Sequence, residues 1–357
     1  MKSAAFILSF VFVFMSCKEE EDQATYSCES VALNNSLSYS DLIDAVPDEV
    51  LTGFVEEPDE EGALGRNKNG YAHARFQLAA THLANYAVHF ESEEALSEWV
   101  KSINYSFLYQ TEAGDFEFIA PPDAPADRQP LPADLASGSF FFAYGLGISL
   151  HAFESSEWYQ GLPDDHASKQ TIEGLQTNIE SLLTYLKSNL ELIQEYDRAS
   201  PNRLLFDGLA FYTLGAYLED ANAQQTGLGL AGHAMTLREQ TAGYFIEAQG
   251  WDSSYNGVAL KLGFELYALL GSGVELHNVL NDGLSCSADW QFSRVLESGE
   301  ISTEGNTRVY PGGESLGGRE KKVDVEKTVY AFYYMAALTN DQSYAELSQQ
   351  VLEYYAP

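Results

Sequence analysis

Two kinds of apolar segment alternate along the chain. Five segments are apolar on most faces: Tyr71–Phe90, Ser137–Phe153, Arg203–Leu218, Gly257–Leu270 and Val325–Leu338. Each is followed by a segment with one apolar stripe: Ser92–Tyr109, Ser168–Tyr196, Ala223–Ala242, Val274–Val295 and Gln342–Tyr355. A helix that is apolar nearly all round must be buried, whereas a one-faced helix covers a core. The pattern therefore predicts an inner helix and an outer helix, repeated five times. The first residues of the inner segments lie 66, 66, 54 and 68 positions apart. Recurrence of this kind marks a repeat architecture, and the period is far longer than the roughly 34 residues of an open tetratricopeptide array.

Shorter echoes occur where outer segments end. Gln110-Thr-Glu-Ala-Gly114-Asp-Phe116-Glu-Phe118 closes one, Gln240-Thr-Ala-Gly243-Tyr-Phe245-Ile-Glu247 another, and Glu297-Ser-Gly299-Glu-Ile301 is a weaker third. Each sets a glycine turn and then alternating apolar residues just past a predicted helix end. Helix pairs with Gln-x-x-(x)-Gly-x-aromatic junctions resemble the α/α-toroid proteins, which include polysaccharide lyases, glycoside hydrolases and terpene cyclases. The resemblance spans roughly residues 66–356. It implies an all-α domain, an α/α toroid of about five to six helical hairpins. Its motifs are structural and shared across chemistries, so it implies a fold rather than a reaction.

If the inner helices run one way, every outer-to-inner loop emerges on one face. Those loops are Thr111–Ala136, Asp197–Asn202, Thr241–Asn256 and Leu296–Asp324, and three of them are long. Long converging loops carry function. The same face presents the inner-helix N-termini, whose free N–H groups favour anions.

Charge narrows the partners. Against 53 Asp+Glu stand 19 Lys+Arg, a formal net charge of −34. That argues against nucleic acid, whose phosphates need cations, and against docking on anionic lipid. A 45% hydrophobic share is ample for a core.

Three loop clusters carry candidate chemistry. The first is Glu247-Ala-Gln249-Gly-Trp251-Asp252-Ser-Ser-Tyr255-Asn256. Glu247, Asp252 and Tyr255 are its candidate catalytic groups: two carboxylates divide acid and base roles when their environments separate their pKa values. In an eliminating lyase Tyr255 would act as general base or acid, and Asn256 would hold a substrate carboxylate. Trp251 offers a flat face for sugar stacking. The structural alternative is that Asp252 or Ser254 caps the next helix and Tyr255 packs into the rim. The second cluster is Arg308, Tyr310, Arg319, Lys321 and Lys322, scarce cations that either bind uronate or sulfate or pair internally with Glu314, Glu320, Asp324 or Glu326. The third is Asn202 and Arg203 with Asp207, a carboxylate among leucines that needs a partner such as Arg203 or a polar cavity. His151 and Glu154 share a helix face, as do His82 and His89; both pairs read as local hydrogen-bonding residues. No phosphate loop, nucleophile elbow or zinc-protease motif is present, so no cofactor or metal is expected. The combined expectation is a protein that binds a polysaccharide, with its degradation as lyase or hydrolase left open; the alternative is a non-catalytic glycan-binding or protein-interaction lipoprotein.

The N-terminus predicts an address. Lys2 precedes an apolar stretch, Ala4 to Met15, then Ser16 and Cys17. This is a signal-peptide pattern, too short for a spanning helix of about 20 residues. Phe14-Met15-Ser16-Cys17 resembles the lipobox of Bacteroidota lipoproteins, and Lys18-Glu19-Glu20-Glu21-Asp22 resembles their surface-export signal. The resemblance implies cleavage after residue 16, an acyl anchor on Cys17 as the only membrane attachment, and outer-membrane placement at the cell surface or, alternatively, on the periplasmic face. Residues 17–65 hold fourteen acidic residues and one Lys; apart from a short helix around Tyr39–Val46 they read as an acidic tether before a domain over 66–357. Cys28 and Cys286 remain, either paired in an oxidising envelope or as unrelated thiols. Metabolic labelling with an acyl probe is expected to mark the wild type and leave Cys17→Ala unlabelled; equal labelling of both, or of neither, refutes the anchor.

Overall fold

The computed structural model describes residues 28, 30–121, 130–316 and 319–356. The signal-like segment and Cys17 lie outside the described residues. Among the described residues the chain is all-helical, apart from a two-residue antiparallel pairing of Ser315–Leu316 with Arg319–Glu320.

Two short helices come first, α1 (Tyr39–Asp44) and α2 (Asp48–Gly53), then 3-10 segments over Gly65–Asn69 and Ala74–Ala79. The main helices are α3 (Ala80–His89), α4 (Glu93–Phe107), α5 (Pro132–Ser155), α6 (Glu157–Gly161), α7 (Ala167–Gly174), α8 (Gln176–Ser188), α9 (Leu190–Asp197), α10 (Pro201–Tyr217) and α11 (Ala221–Thr236). The last are α12 (Ser253–Leu269), α13 (Glu275–Ser293), α14 (Val325–Thr339) and α15 (Gln342–Tyr355). Aspartates or serines open many of them: Ser92, Asp220, Asp252, Asp324 and Asp341 each accept a hydrogen bond from a first-turn N–H, satisfying donors that a helix start leaves free.

The five inner segments become α3, α5, α10, α12 and α14. α5 and α12 are buried along nearly their whole length. α5 is long and apolar enough to cross a membrane, and here it forms part of the core. Each inner helix packs on the outer helix or helices that follow it, and α3, α5, α10, α12 and α14 contact one another in chain order. His82 of α3 then meets Glu326 of α14 at 3.1 Å. Two differences from the sequence pattern appear. The expected outer helix Ser168–Tyr196 is three pieces, α7 to α9, broken beside Gly174 and at Asn189, both poor helix formers. The first inner segment begins as a 3-10 turn capped by His73.

The glycine echoes share one geometry. Gly114, Gly243 and Gly299 have φ of 90°, 87° and 88°, a conformation that costs other residues free energy. Residues flanking them pair as isolated bridges, Gln110 with Phe116, Arg238 with Phe245 and Val295 with Ile301. A Cβ on each would lie 2.2–2.8 Å from the backbone of a neighbouring outer helix, at Ser181, Cys286 or Gln350. Gly62, φ 98°, meets Lys101 of α4 in the same way, a fourth copy the sequence pattern did not reveal.

The stretch expected as a tether departs from that expectation. Leu33, Tyr39, Leu42, Ile43, Val46, Val50, Leu51 and Leu64 are all buried. α1 packs on α3, α5, α12 and α14. The high acidic count hid a strong apolar stripe, because the carboxylates occupy the opposite, solvated face. Asp44 and Asp48 hold His89 from both sides, at 2.8 and 3.0 Å. Cys28 and Cys286 are bonded, with Cα atoms 5.4 Å apart. Leu42→Ala is expected to cost about 2–5 kcal/mol, measured by chemical denaturation; a cost near zero would show that α1 is not part of the cooperative core.

Candidate functional site

The N-termini of the inner helices bring four cations together. Arg75 sits in the 3-10 turn before α3, and Arg203 in the first turn of α10. Arg308 and Lys321 come from the loop before α14. Arg75 feels Arg203 and Tyr255, and Lys321 feels Arg308 and Arg75. Aromatic rings lie beneath them. The Arg75 guanidinium is 4.2 Å from the centre of the Phe141 ring, Arg308 is 4.4 Å from that of Tyr255, and Lys321 is 4.0 Å from the same ring. Arg203 lies 5.1 Å from the Tyr196 ring. Such contacts hold a cation without neutralising it.

Arg75 differs from the other three. Arg203 pairs with Asp197 at 2.9 Å, Arg308 with Glu247 and Glu314, and Lys321 lies 3.8 Å from Glu314. Among the described residues the Arg75 side chain makes no hydrogen bond and has no carboxylate within ion-pairing distance, although the Asp197 carboxylate attracts it at longer range and partly offsets Arg203. Surrounding protein, and then Arg203, pull its pKa down, yet its side chain is exposed. Arg75 is thus crowded by protein on one side while part of its side chain still reaches solvent. Arg75 also keeps its neighbour neutral: burial, and then Arg75, lower His73 to about 4.

Glu247, Arg308, Glu314, Tyr255 and Lys321 form one network. Ala248 and Gln249, both with positive φ, make a tight reverse turn that delivers Glu247. Glu247 is 4% exposed and bound to Arg308. Burial pushes its carboxyl above the ordinary range, against the pull of Arg308. The Tyr255 hydroxyl donates to Glu314 at 2.7 Å and accepts from Lys321. Burial and the Glu314 carboxylate raise the phenol well above its usual pKa, so Tyr255 is a proton holder and not a phenolate base.

Other expected site residues build the wall. Asp252 is fully buried. Its oxygens accept from the N–H groups of Ser254, Tyr255, Arg308 and Val309 at 2.8–3.2 Å. It caps α12 and staples the two loops together, which corrects its assignment as an acid or base. Asn256 is also internal: its Oδ1 accepts from Phe245 N and Ser287 Oγ, and its Nδ2 donates to Ser287 O and Gln291 Oε1. An amide with every group engaged cannot hold a substrate carboxylate, which corrects that expectation. Trp251 is wedged against Gly305 and Tyr244, with its Nε1 buried and without an acceptor; it is a rim brace rather than a free platform. Tyr310 is on the rim, 42% exposed.

Asp207 is buried, and its Oδ2 has no hydrogen-bond partner among the described residues. Burial, and then the nearby Asp197, drive its pKa well up. The expected partner Arg203 bonds Asp197 instead. On α14, Glu326 contacts His82 and Lys327, the latter at 3.2 Å. Burial opposes its charge, but Lys327 and His82 outweigh that and hold Glu326 well below the ordinary carboxyl range. Sequence reasoning missed Arg75, and it placed Glu326 and His82 only as an internal ion-pair partner and a local hydrogen-bonding residue, without pairing them with each other. Arg75 follows a His at the start of an inner segment, a signal indistinguishable from an ordinary surface Arg until Phe141 is placed beneath it.

Among the described residues no group of three or more His, Cys, Asp or Glu is arranged to hold a metal. Comparison with protein-family models and with curated proteins gives no match.

Because the native Glu247 carboxyl holds its proton more tightly than the unfolded one, its stabilisation is present at low pH and is lost as pH rises toward its raised pKa. Removing Arg308 raises that pKa further. Arg308→Ala is therefore expected to cost about 2–3 kcal/mol at pH 7, below the 3–5 of fully buried pairs because Arg308 reaches solvent, and clearly less at pH 5. Thermal unfolding at both pH values checks this; equal deficits refute it.

Proposed function

We propose that this is a lipid-anchored envelope protein whose helical hairpins form an α/α toroid, and that the face bearing the inner-helix N-termini binds an acidic saccharide. The observation that carries the reading is Arg75. In a chain of net charge −34, carboxylates are abundant, yet among the described residues this guanidinium stands over Phe141 without an ion pair, attracted only at longer range by Asp197, beside three further cations. A solvent-reaching Arg on an aromatic ring, with no hydrogen bond of its own among the described residues, suits a planar carboxylate, which it can grip bidentately. The background charge repels polyanions at long range, but salt screens much of that and contact-range hydrogen bonds decide the affinity. The circuit of inner-helix contacts, with α14 returning to α3 through His82 and Glu326, supports the toroid. The signal-like N-terminus and Cys17 support the envelope address.

Binding is favoured over degradation. Of the three expected catalytic groups, Asp252 is saturated by backbone N–H donors, the Tyr255 proton is committed to Glu314, and Glu247 is tied to Arg308. A panel of galacturonate, alginate and neutral oligosaccharides tests the reading, with absorbance of unsaturated uronates followed in parallel. Arg75→Ala is expected to weaken acidic ligands about tenfold or more, to leave any neutral binding unchanged, and to keep or slightly raise Tm because repulsion from Arg203 is relieved. Acidic ligands bound as tightly by the variant as by the wild type would refute it.

A further inference from the structure

The segment that follows α2 is the most acidic part of the described chain, and it does not simply face solvent. Glu57, Asp59 and Glu60 line a cavity of about 540 Å³ together with Glu94 and Glu98 of α4, a size within the range of small-molecule sites. Local geometry fixes the two acidic walls relative to each other. Asp59 Oδ1 accepts from the N–H groups of Glu61 and Ala63 at 3.0 and 2.8 Å. Gly62, φ 98°, then presses this turn on the α4 backbone, where a Cβ would lie 2.4 Å from the Lys101 carbonyl oxygen.

The protein leaves most of these charges unpaired. Glu94 and Glu98 are spaced i, i+4 on one helix face, an unfavourable arrangement for like charges. Lys101 is the one cation in the lining, and Glu98 engages it at 3.3 Å. Lys68, outside the cavity, is paired with Glu56 at 2.7 Å. Among the described residues Glu57, Asp59, Glu60 and Glu94 have no Lys, Arg or His within ion-pairing distance.

Charge sets the sign of a ligand, and the rest of the lining sets its kind. Leu83 and Ala95, 3% and 7% exposed, are the buried members of the lining, and Val55 and Tyr86 are half-buried. Glu57, Glu60 and Glu94 are exposed. Recessed positions are therefore apolar and outlying ones anionic. A bare metal ion gains nothing from the apolar surface, and among the described residues no group of three or more His, Cys, Asp or Glu is arranged to hold one. An alkyl stem carrying ammonium groups uses both parts: its methylenes cover the apolar positions, and its charges meet the carboxylates and the Tyr86 ring. Acidic walls on two separate elements call for at least two ammonium groups. We infer that this cavity binds an aliphatic polyamine. It shares no residue with the Arg75 face and does not depend on the saccharide reading.

Calorimetric titration of the folded full-length chain with spermidine tests this, in about 0.15 M salt to screen diffuse attraction to the net charge. One saturable site is expected. Hexaamminecobalt(III) carries the same charge without hydrocarbon and is expected to bind at least about tenfold more weakly. The double variant Glu57→Gln with Glu94→Gln is expected to weaken spermidine about tenfold, with Tm at or above that of the wild type because like-charge repulsion is relieved. Glu297→Gln with Glu346→Gln removes the same charge at exposed positions elsewhere and is expected to leave the affinity within about twofold. Tyr86→Leu, which keeps an apolar side chain, is expected to weaken it about threefold. Hexaamminecobalt(III) binding as tightly as spermidine, equal losses in the two double variants, or no saturable binding each overturns the site. A lysine-rich peptide that saturates the cavity at lower concentration than spermidine overturns the polyamine assignment in favour of a basic protein partner.

Discussion

The structure depends on one constraint: five helices have almost no polar face to give to water. α5 and α12 are buried nearly from end to end, and α10 and α14 along most of their lengths. Such helices are stable only when other helices surround them, and α4, α7 to α9, α11, α13 and α15 supply that covering layer. Polar chemistry is thereby driven to the helix ends. At the N-terminal ends the loops must satisfy free N–H groups, which is why Asp252 and Asp324 serve as caps and why the cations and carboxylates of the long loops collect there.

The repeated glycine turn links local conformation to this packing. Each left-handed glycine lets a loop press directly on the backbone of an outer helix, at separations where any side chain would clash. In the Gly243 copy the continuation is the 247–250 turn, and Arg308 closes on it from the neighbouring loop. The network around Tyr255 is thus assembled by two turns far apart in sequence, and it is mostly self-satisfied. Arg75, by contrast, makes no hydrogen bond or ion pair among the described residues and is attracted only at longer range by Asp197.

The N-terminal segment shows how composition misleads. Its acidic residues describe its solvated surface, whereas its leucines, isoleucines and valines describe its contacts. It supplies a base on which the inner-helix C-termini rest, and the covalent link from Cys28 to α13 holds it there. A chain read as a spacer is structurally part of the wall.

The alternation of inner and outer helices was legible in the sequence because apolar periodicity is a local property: a segment with no polar face has few alternatives to burial. The glycine turns were legible for the same reason, since φ near 90° is a demand on single residues. So was the capping alternative for Asp252, the residue immediately before a helical run. What required the tertiary structure was partnership. Asp207 and Arg203 are neighbours on one helix, yet Arg203 bonds Asp197; Asn256 looked like a loop amide and is locked to α13; Arg75 gained meaning only when α5 placed Phe141 under it. Sequence states which groups are available, but a hydrogen bond or ion pair is decided by distances of a few ångströms between elements up to hundreds of residues apart, and those distances exist only after the helices have packed.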